Sequence, residues 1–136
     1  MADKQKIIDY LTECGVFYFA TVDDGAPVVR PIGFKMLHDG ELYFGIGTHK
    51  DVYAQIQATP KVCISATKPD RKSWIRINAD VAFDADPALG DAAFEAAPNL
   101  KPLYESNGWK MGIFHLAGGT VTYYENLMAP VETEEL

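Results

Sequence analysis

Arg30, Lys35, Thr48, His49 and Lys50 are the residues whose types and spacing best suit ligand chemistry in this chain. Thr48-His49-Lys50 lies where a strand pattern, ELYFGI, gives way to a helical pattern that begins near Asp51. The start of a helix presents unpaired N–H groups and the positive end of its dipole, so an anion can be held there. Thr48 offers a hydroxyl and Lys50 a point charge. If the hairpin of the second and third strand patterns brings Arg30 alongside, one phosphate meets a guanidinium, an ammonium, a hydroxyl and amides. The competing reading leaves Arg30 and Lys50 solvated or paired with Asp23 and Asp51, and spacing alone does not separate the two. Pro31 cannot donate to a ladder and Gly33 lets another group approach the backbone. Together they describe a strand interrupted midway and open to a flat ligand, or a simple bulge at a sheet edge.

Other chemistries find little footing. His38, His49 and His115 form no HxH or HExxH pattern, and Cys14 and Cys63 have no CxxC spacing. No metal site is expected; His38 reads as a turn residue and His115 as a strand-face residue. There is no GxSxG elbow and no Walker loop, and FGIGTHK is not a GxGxxG fingerprint. Trp74 and Arg76 fall on the polar face of a strand whose other face is apolar. An outward Trp beside an Arg suits a subunit interface or a stacking platform. Trp109, in SNGWKMG, reads either as an interface residue or as core.

The elements that must position these residues are mostly strands. Asp3 can N-cap a helix over Lys4 to Glu13, with Gly15 as its terminator. Strand patterns follow at Val16 to Val22, Val28 to Leu37, Glu41 to Ile46, Lys61 to Thr67 and Ser73 to Asp84. The last is the clearest, with Ile75, Ile77, Ala79, Val81 and Phe83 on one face. A short helix fits Asp51 to Thr59, and Asp86-Pro87 opens another that reaches about Ala97. NLKPLYESNGW reads as a loop holding at most a turn of helix. Two final strands, MGIFHLA and TVTYYE, are divided by Gly118-Gly119. Residues 126–136 read as a frayed acidic tail. Seven strand signals with mostly hairpin connections predict one mainly β domain, an antiparallel barrel with accessory helices.

Composition bounds the partners. The chain has 136 residues, 48% of them hydrophobic, and a net charge of −7. That field disfavours general nucleic-acid binding but leaves room for one small anion in a local basic cluster. No apolar run is long enough for a membrane helix, so no membrane partner is expected. The opening MADKQKIIDY lacks a signal-peptide core, and two unpaired cysteines suit a reduced compartment, so the expected location is cytoplasmic.

At this point a resemblance enters. FATVDDGAPVVRPIGFKMLHDGELYFGIGTHKDVYAQIQATPKVCIS, continued by SWIRINADVAF, resembles the pyridoxamine 5′-phosphate oxidase-like flavoproteins, in particular their short stress-protein and nitroimidazole-resistance-like branches. The likeness covers Val16 to about Phe83, and APNLKPLY followed by GIFHLAGGTVTYY also suits the short members. It rests on the order of an Arg in strand two, a Ser/Thr-x-Lys turn after strand three, a helix and a following strand. The resemblance implies an FMN-binding split β-barrel, a homodimer with cofactor at the interface. By position, Arg30, Thr48, His49 and Lys50 would meet the FMN phosphate and ribityl end. Pro31, Ile32 and Gly33 would lie along the isoalloxazine ring, with Lys35 a basic group near it. Tyr43 and Phe44 would border the site, and Trp74 and Arg76 match the strand that approaches the cofactor. His49 stands where many members have Ser or Arg. The chain also lacks the Arg-x-His segment with which true pyridoxamine phosphate oxidases hold their substrate, so vitamin B6 oxidation is not expected.

The function implied is an FMN-dependent oxidoreductase that passes electrons from a small-molecule donor, NAD(P)H, to a small aromatic or quinone-type acceptor. The alternatives are a non-catalytic flavin-binding stress protein, or the same barrel carrying deazaflavin or haem. No catalytic acid or base stands out.

Overall fold

A computed structural model describes residues 2–136. Helix α1 (Lys4–Cys14) starts where the Asp3 carboxylate accepts the Lys6 N–H at 3.1 Å, and ends at Gly15, whose positive φ of 86° lets its N–H reach back to Leu11 and Thr12. Its buried face, Ile7 and Leu11, packs against the barrel. Then come β1 (Phe17–Asp23), β2 (Ala26–Ile32), β3 (Lys35–His38), β4 (Glu41–Gly47), α2 (Asp51–Ala58), β5 (Lys61–Thr67) and β6 (Trp74–Asp84). The chain finishes with α3 (Pro87–Ala96), α4 (Leu100–Asn107), β7 (Met111–Tyr124) and β8 (Pro130–Glu135).

The strands form one antiparallel sheet in the order β2-β1-β5-β6-β7-β4-β3, with β8 added on β7. β2 and β3 sit at opposite ends of that order, yet only Gly33 and Phe34 join them. Two linking residues span about 10 Å at most, so the sheet must roll until its ends meet. The enclosed core includes Phe17, Phe19, Phe44, Phe114, Ile64, Ile75, Ile77 and Val121. The alternation expected for β6 holds: Ile75, Ile77, Ala79 and Val81 are buried, while Arg76, Asn78 and Asp80 are exposed.

Four expectations are corrected. The pattern Val28 to Leu37 is two strands, because it contains the crossing from one sheet end to the other. The loop expected at NLKPLYESNGW is helix α4; Pro102 falls in its first turn, where the missing N–H would have had no helical partner. Gly118-Gly119 does not divide two strands. β7 runs through them, with the register against β6 shifting between Asp80 and Val81 so that Ala117 is the extra residue of a bulge. Residues 130–135 of the expected frayed tail pair with β7 as β8, and Glu132 there accepts from the Lys6 ammonium at 2.7 Å. Charged side chains do not prevent an edge strand from pairing on its inner side.

Candidate functional site

β7 gives up its pairing with β4 after His115 and takes up β8 from Thr120, so the barrel wall is split. At the seam where β2 and β3 meet lies a cleft of about 620 Å³. Arg30, Pro31, Ile32, Gly33 and Phe34 line one side, with Lys35, Gly45, Ile46, Lys50 and Val52 beside them. The opposite wall comes from α3, the α3–α4 turn, α4 and β7, through Ala96, Ala97, Leu100, Tyr104 and Met111.

Six of the residues singled out in the sequence meet here: Arg30, Pro31, Ile32, Gly33, Lys35 and Lys50. Arg30 is half-buried. Its guanidinium donates to the Phe19 carbonyl at 3.2 Å, the Thr21 hydroxyl at 2.8 Å and the Gln55 amide oxygen at 2.9 Å. Thr21 donates to that same Gln55 oxygen at 2.6 Å, so the network ties β1, β2 and α2 together. Three of five guanidinium N–H groups are used and two remain. Neither Asp23 nor Asp51 pairs with Arg30 or Lys50. Among the described residues, Arg30, Lys35 and Lys50 make no ion pair at all. Burial pushes the Arg30 guanidinium and the Lys35 ammonium below their usual pKa, with no carboxylate to counter it. Lys50 caps α2 without a side-chain bond, its backbone N–H donating to the Gly47 carbonyl. Gly33 faces open space, since a Cβ there would meet no atom within 4 Å.

The other expected residues lie elsewhere. Thr48 is half-buried and fixes its turn through an N–H bond to the Lys110 carbonyl at 2.8 Å, outside the cleft lining. His49 stacks on Trp109 in an aromatic group with Tyr104. Phe44 points inward: strand alternation puts it in the core between Phe17 and Phe114, so it does not border the cleft. Tyr43 points outward but packs under α3 with Met36 and Ile113, its ring edge-to-face with His115 at 6.3 Å between centroids. Trp74 stacks on Tyr124 at 3.9 Å with Arg76 over its face at 4.9 Å. Cross-strand register puts Arg76 in one row with Ser65, Tyr18 and Pro31, three strands from the cleft. At the usual strand spacing that is about 14 Å, so Arg76 does not reach the cleft of its own chain. The sequence reading missed the far wall, Tyr104 above all; Leu100 and Tyr104 at i, i+4 were its only trace.

The pyridoxamine 5′-phosphate oxidase family matches residues 3–104, well over half of the chain. The chain belongs to that family. A NimC/NimA family protein from Clostridium acetobutylicum is 32% identical, covering 98% of this chain and 92% of that one with a TM-score of 0.88. A pyridoxamine 5′-phosphate oxidase-related, FMN-binding protein from Nostoc punctiforme shares the fold at 15% identity, with coverage of 100% and 97% and a TM-score of 0.66. So does a heme-binding protein from Mycobacterium smegmatis, at 12% identity and a TM-score of 0.69, where the match covers all of this chain and 58% of that one. No curated protein matches the chain. The pyridoxamine 5′-phosphate oxidase-like fold is thus a split β-barrel here, as the resemblance implied, and its seam holds the basic cleft.

Proposed function

We propose that the cleft holds FMN and that the protein is an FMN-dependent oxidoreductase, passing electrons from NAD(P)H to a small aromatic or quinone-type acceptor. The observation that carries this reading is the trio Arg30, Lys35 and Lys50. Three cations without a carboxylate partner among the described residues line one cleft, in a chain of net charge −7. Arg30 and Lys35 are partly desolvated, and such cations left unpaired are costly unless a ligand supplies the anion, while the exposed Lys50 adds its charge beside them. The fit to FMN is good: Lys50 and the start of α2 suit its phosphate, and the Pro31-Ile32-Gly33-Phe34 edge with Met111 opposite offers apolar surface to a planar ring. FMN, when bound, supplies the hydride and one-electron chemistry. The chain's own residues bind and orient it, keep water from one side, and set positive charge from Lys35 and Arg30 beside it. The FMN-binding relative from Nostoc punctiforme supports this choice. The heme-binding relative raises the alternative, for which the cleft lining offers Tyr104 and Met111 as side chains able to meet haem iron, with neither His nor Cys among its residues.

The reading includes a homodimer. Tyr18 and Val29, on the outer side of β1 and β2, and Val16, just before β1, are each more than half exposed, next to the small residues Ala20, Cys63 and Ser65. A second copy covering this face would bury the apolar patch and meet the Trp74–Arg76 row.

The test is an absorption spectrum of the purified protein before and after FMN addition and dialysis, then NADH oxidation with a nitroaromatic or a quinone. Retained stoichiometric flavin, with its band near ~450 nm, and acceptor-dependent turnover are expected. Flavin without turnover leaves a flavin-binding protein only. A colourless protein that takes up no FMN removes the reading.

A further inference from the structure

Tyr104 is the cleft residue whose chemistry is unspent. It is 7% exposed, yet its hydroxyl makes no hydrogen bond among the described residues and its side chain lines the cleft. Burial raises its pKa, so at neutral pH the group is an O–H donor. Three aromatic neighbours hold the ring edge-on: Phe94 at 5.8 Å, Trp109 at 5.9 Å and His49 at 6.4 Å between centroids. The hydroxyl ends beside Gly47, 3.3 Å from where a Cβ on that residue would be. Gly47 opens the turn that leads through Thr48 and His49 to Lys50 and α2. A fixed, neutral donor therefore faces the same turn whose ammonium and helix start favour an anion.

We infer that Tyr104 is a ligand of the phosphate end of the flavin nucleotide and makes the cleft select FMN over riboflavin. This rests on the FMN reading above and adds a residue to it. A donor locked in place by packing loses little freedom when it binds, and a bond to a charged oxygen is stronger than one to a neutral group. Arg30 is fastened to β1 and α2 by three bonds, whereas the whole hydrogen-bonding capacity of Tyr104 is free for a ligand.

The experiment measures FMN and riboflavin dissociation constants, by quenching of flavin fluorescence, for the wild type and Tyr104→Phe. The variant keeps the ring and its three aromatic contacts, and circular dichroism and melting check its fold. FMN binding should weaken about tenfold while riboflavin binding changes less than twofold, the difference expected of one bond to a charged group. Equal weakening of both flavins would place the hydroxyl against the ring system or make its role packing, and overturns the assignment. No change in either overturns it as well. If the wild type binds neither flavin, the FMN reading fails and the assignment with it; if the wild type binds FMN and the ratio is unmoved, only Tyr104 is wrong.

Discussion

His49 lies flat on Trp109, the ring centroids 4.2 Å apart and the planes 11° from parallel. The stack joins the turn before α2 to the segment that leads into β7, alongside the Thr48–Lys110 backbone bond. Gly47 makes it possible: a side chain there would run into the imidazole. His49 thus holds the turn in place, where the family likeness implied that it would touch phosphate.

His49→Ala should then cost about 1 kcal/mol of stability, the usual worth of an aromatic pair. FMN affinity should fall by no more than a factor of about 2–3, well short of the loss on removing Lys50. Thermal melts and FMN titrations of the two variants make the comparison. A loss as large as that of Lys50→Ala would put the imidazole on the ligand.

Lys50→Ala should weaken FMN by about tenfold or more and leave the melting temperature unchanged, because the ammonium makes no bond within the fold. Arg30→Ala should do both, weakening FMN and destabilising by about 1–2 kcal/mol, since it strips three bonds from β1 and α2. The double variant should retain no FMN through dialysis. Full FMN affinity in it would show that the cleft is not the phosphate site.

Gly119 has φ 131° at the bulge of β7, and a Cβ there would meet the backbone of Asn78 and Ala79, the latter's Cα at 2.7 Å. Backbone atoms cannot step aside as a side chain can. Gly119→Ala should cost about 3 kcal/mol or more, read by urea unfolding. Gly33→Ala, which meets nothing within 4 Å, should cost well under 1 kcal/mol by the same measure.

Lys4 on α1 donates to Glu41 on β4, with a closest approach of 2.8 Å. Burial alone would raise the Glu41 pKa, but the bonds from Lys4 and from the Leu42 N–H more than offset it, and the carboxyl sits below its ordinary 4.5. A carboxyl lowered by folding stabilises the fold fully above its unfolded value, and that contribution is lost as pH falls through the folded one. Urea unfolding between pH 6 and pH 3 should therefore show a smaller drop for Glu41→Gln than for the wild type. Parallel curves would mean that the pair contributes no pH dependence.

Val29 is 63% exposed and pairs with Ala20 on the outer face proposed as the dimer contact. Val29→Asp should convert a dimer into monomers in sedimentation velocity while the melting curve of the monomer stays cooperative. A wild type that sediments as a monomer, or a variant that still dimerises, would move the interface elsewhere.

Much of this molecule is legible from residue order, and the rest has specific causes. β5 and β6 show in the sequence because one face is apolar and the other polar along their whole length. The basic side of the cleft shows because cations stand out in an acidic chain. α4 is hidden by Pro102, whose harmlessness depends on its falling in a first turn. β8 is hidden by its charges, which an edge strand tolerates. Tyr104 is hidden because the wall it belongs to is brought to the cleft by α4, more than fifty residues after Lys50. Phe44 goes astray for the opposite reason: strand alternation already turns it inward, whatever its neighbours line. Trp74 and Arg76 are informative about a surface, and their row lies three strands away from the cleft.

The seam between β2 and β3 has a mechanical consequence. Every other junction along the barrel wall is a backbone ladder, but here the two sheet ends meet through Gly33, Phe34 and packed side chains. Opening this junction breaks no inter-strand bond, so it is the softest line in the wall. A rigid molecule wedged there spans both lips and takes over the task of a missing ladder. Loading the cleft would thereby stiffen the whole barrel circumference, so amides on strands far from the ligand should exchange more slowly with solvent when the seam is filled.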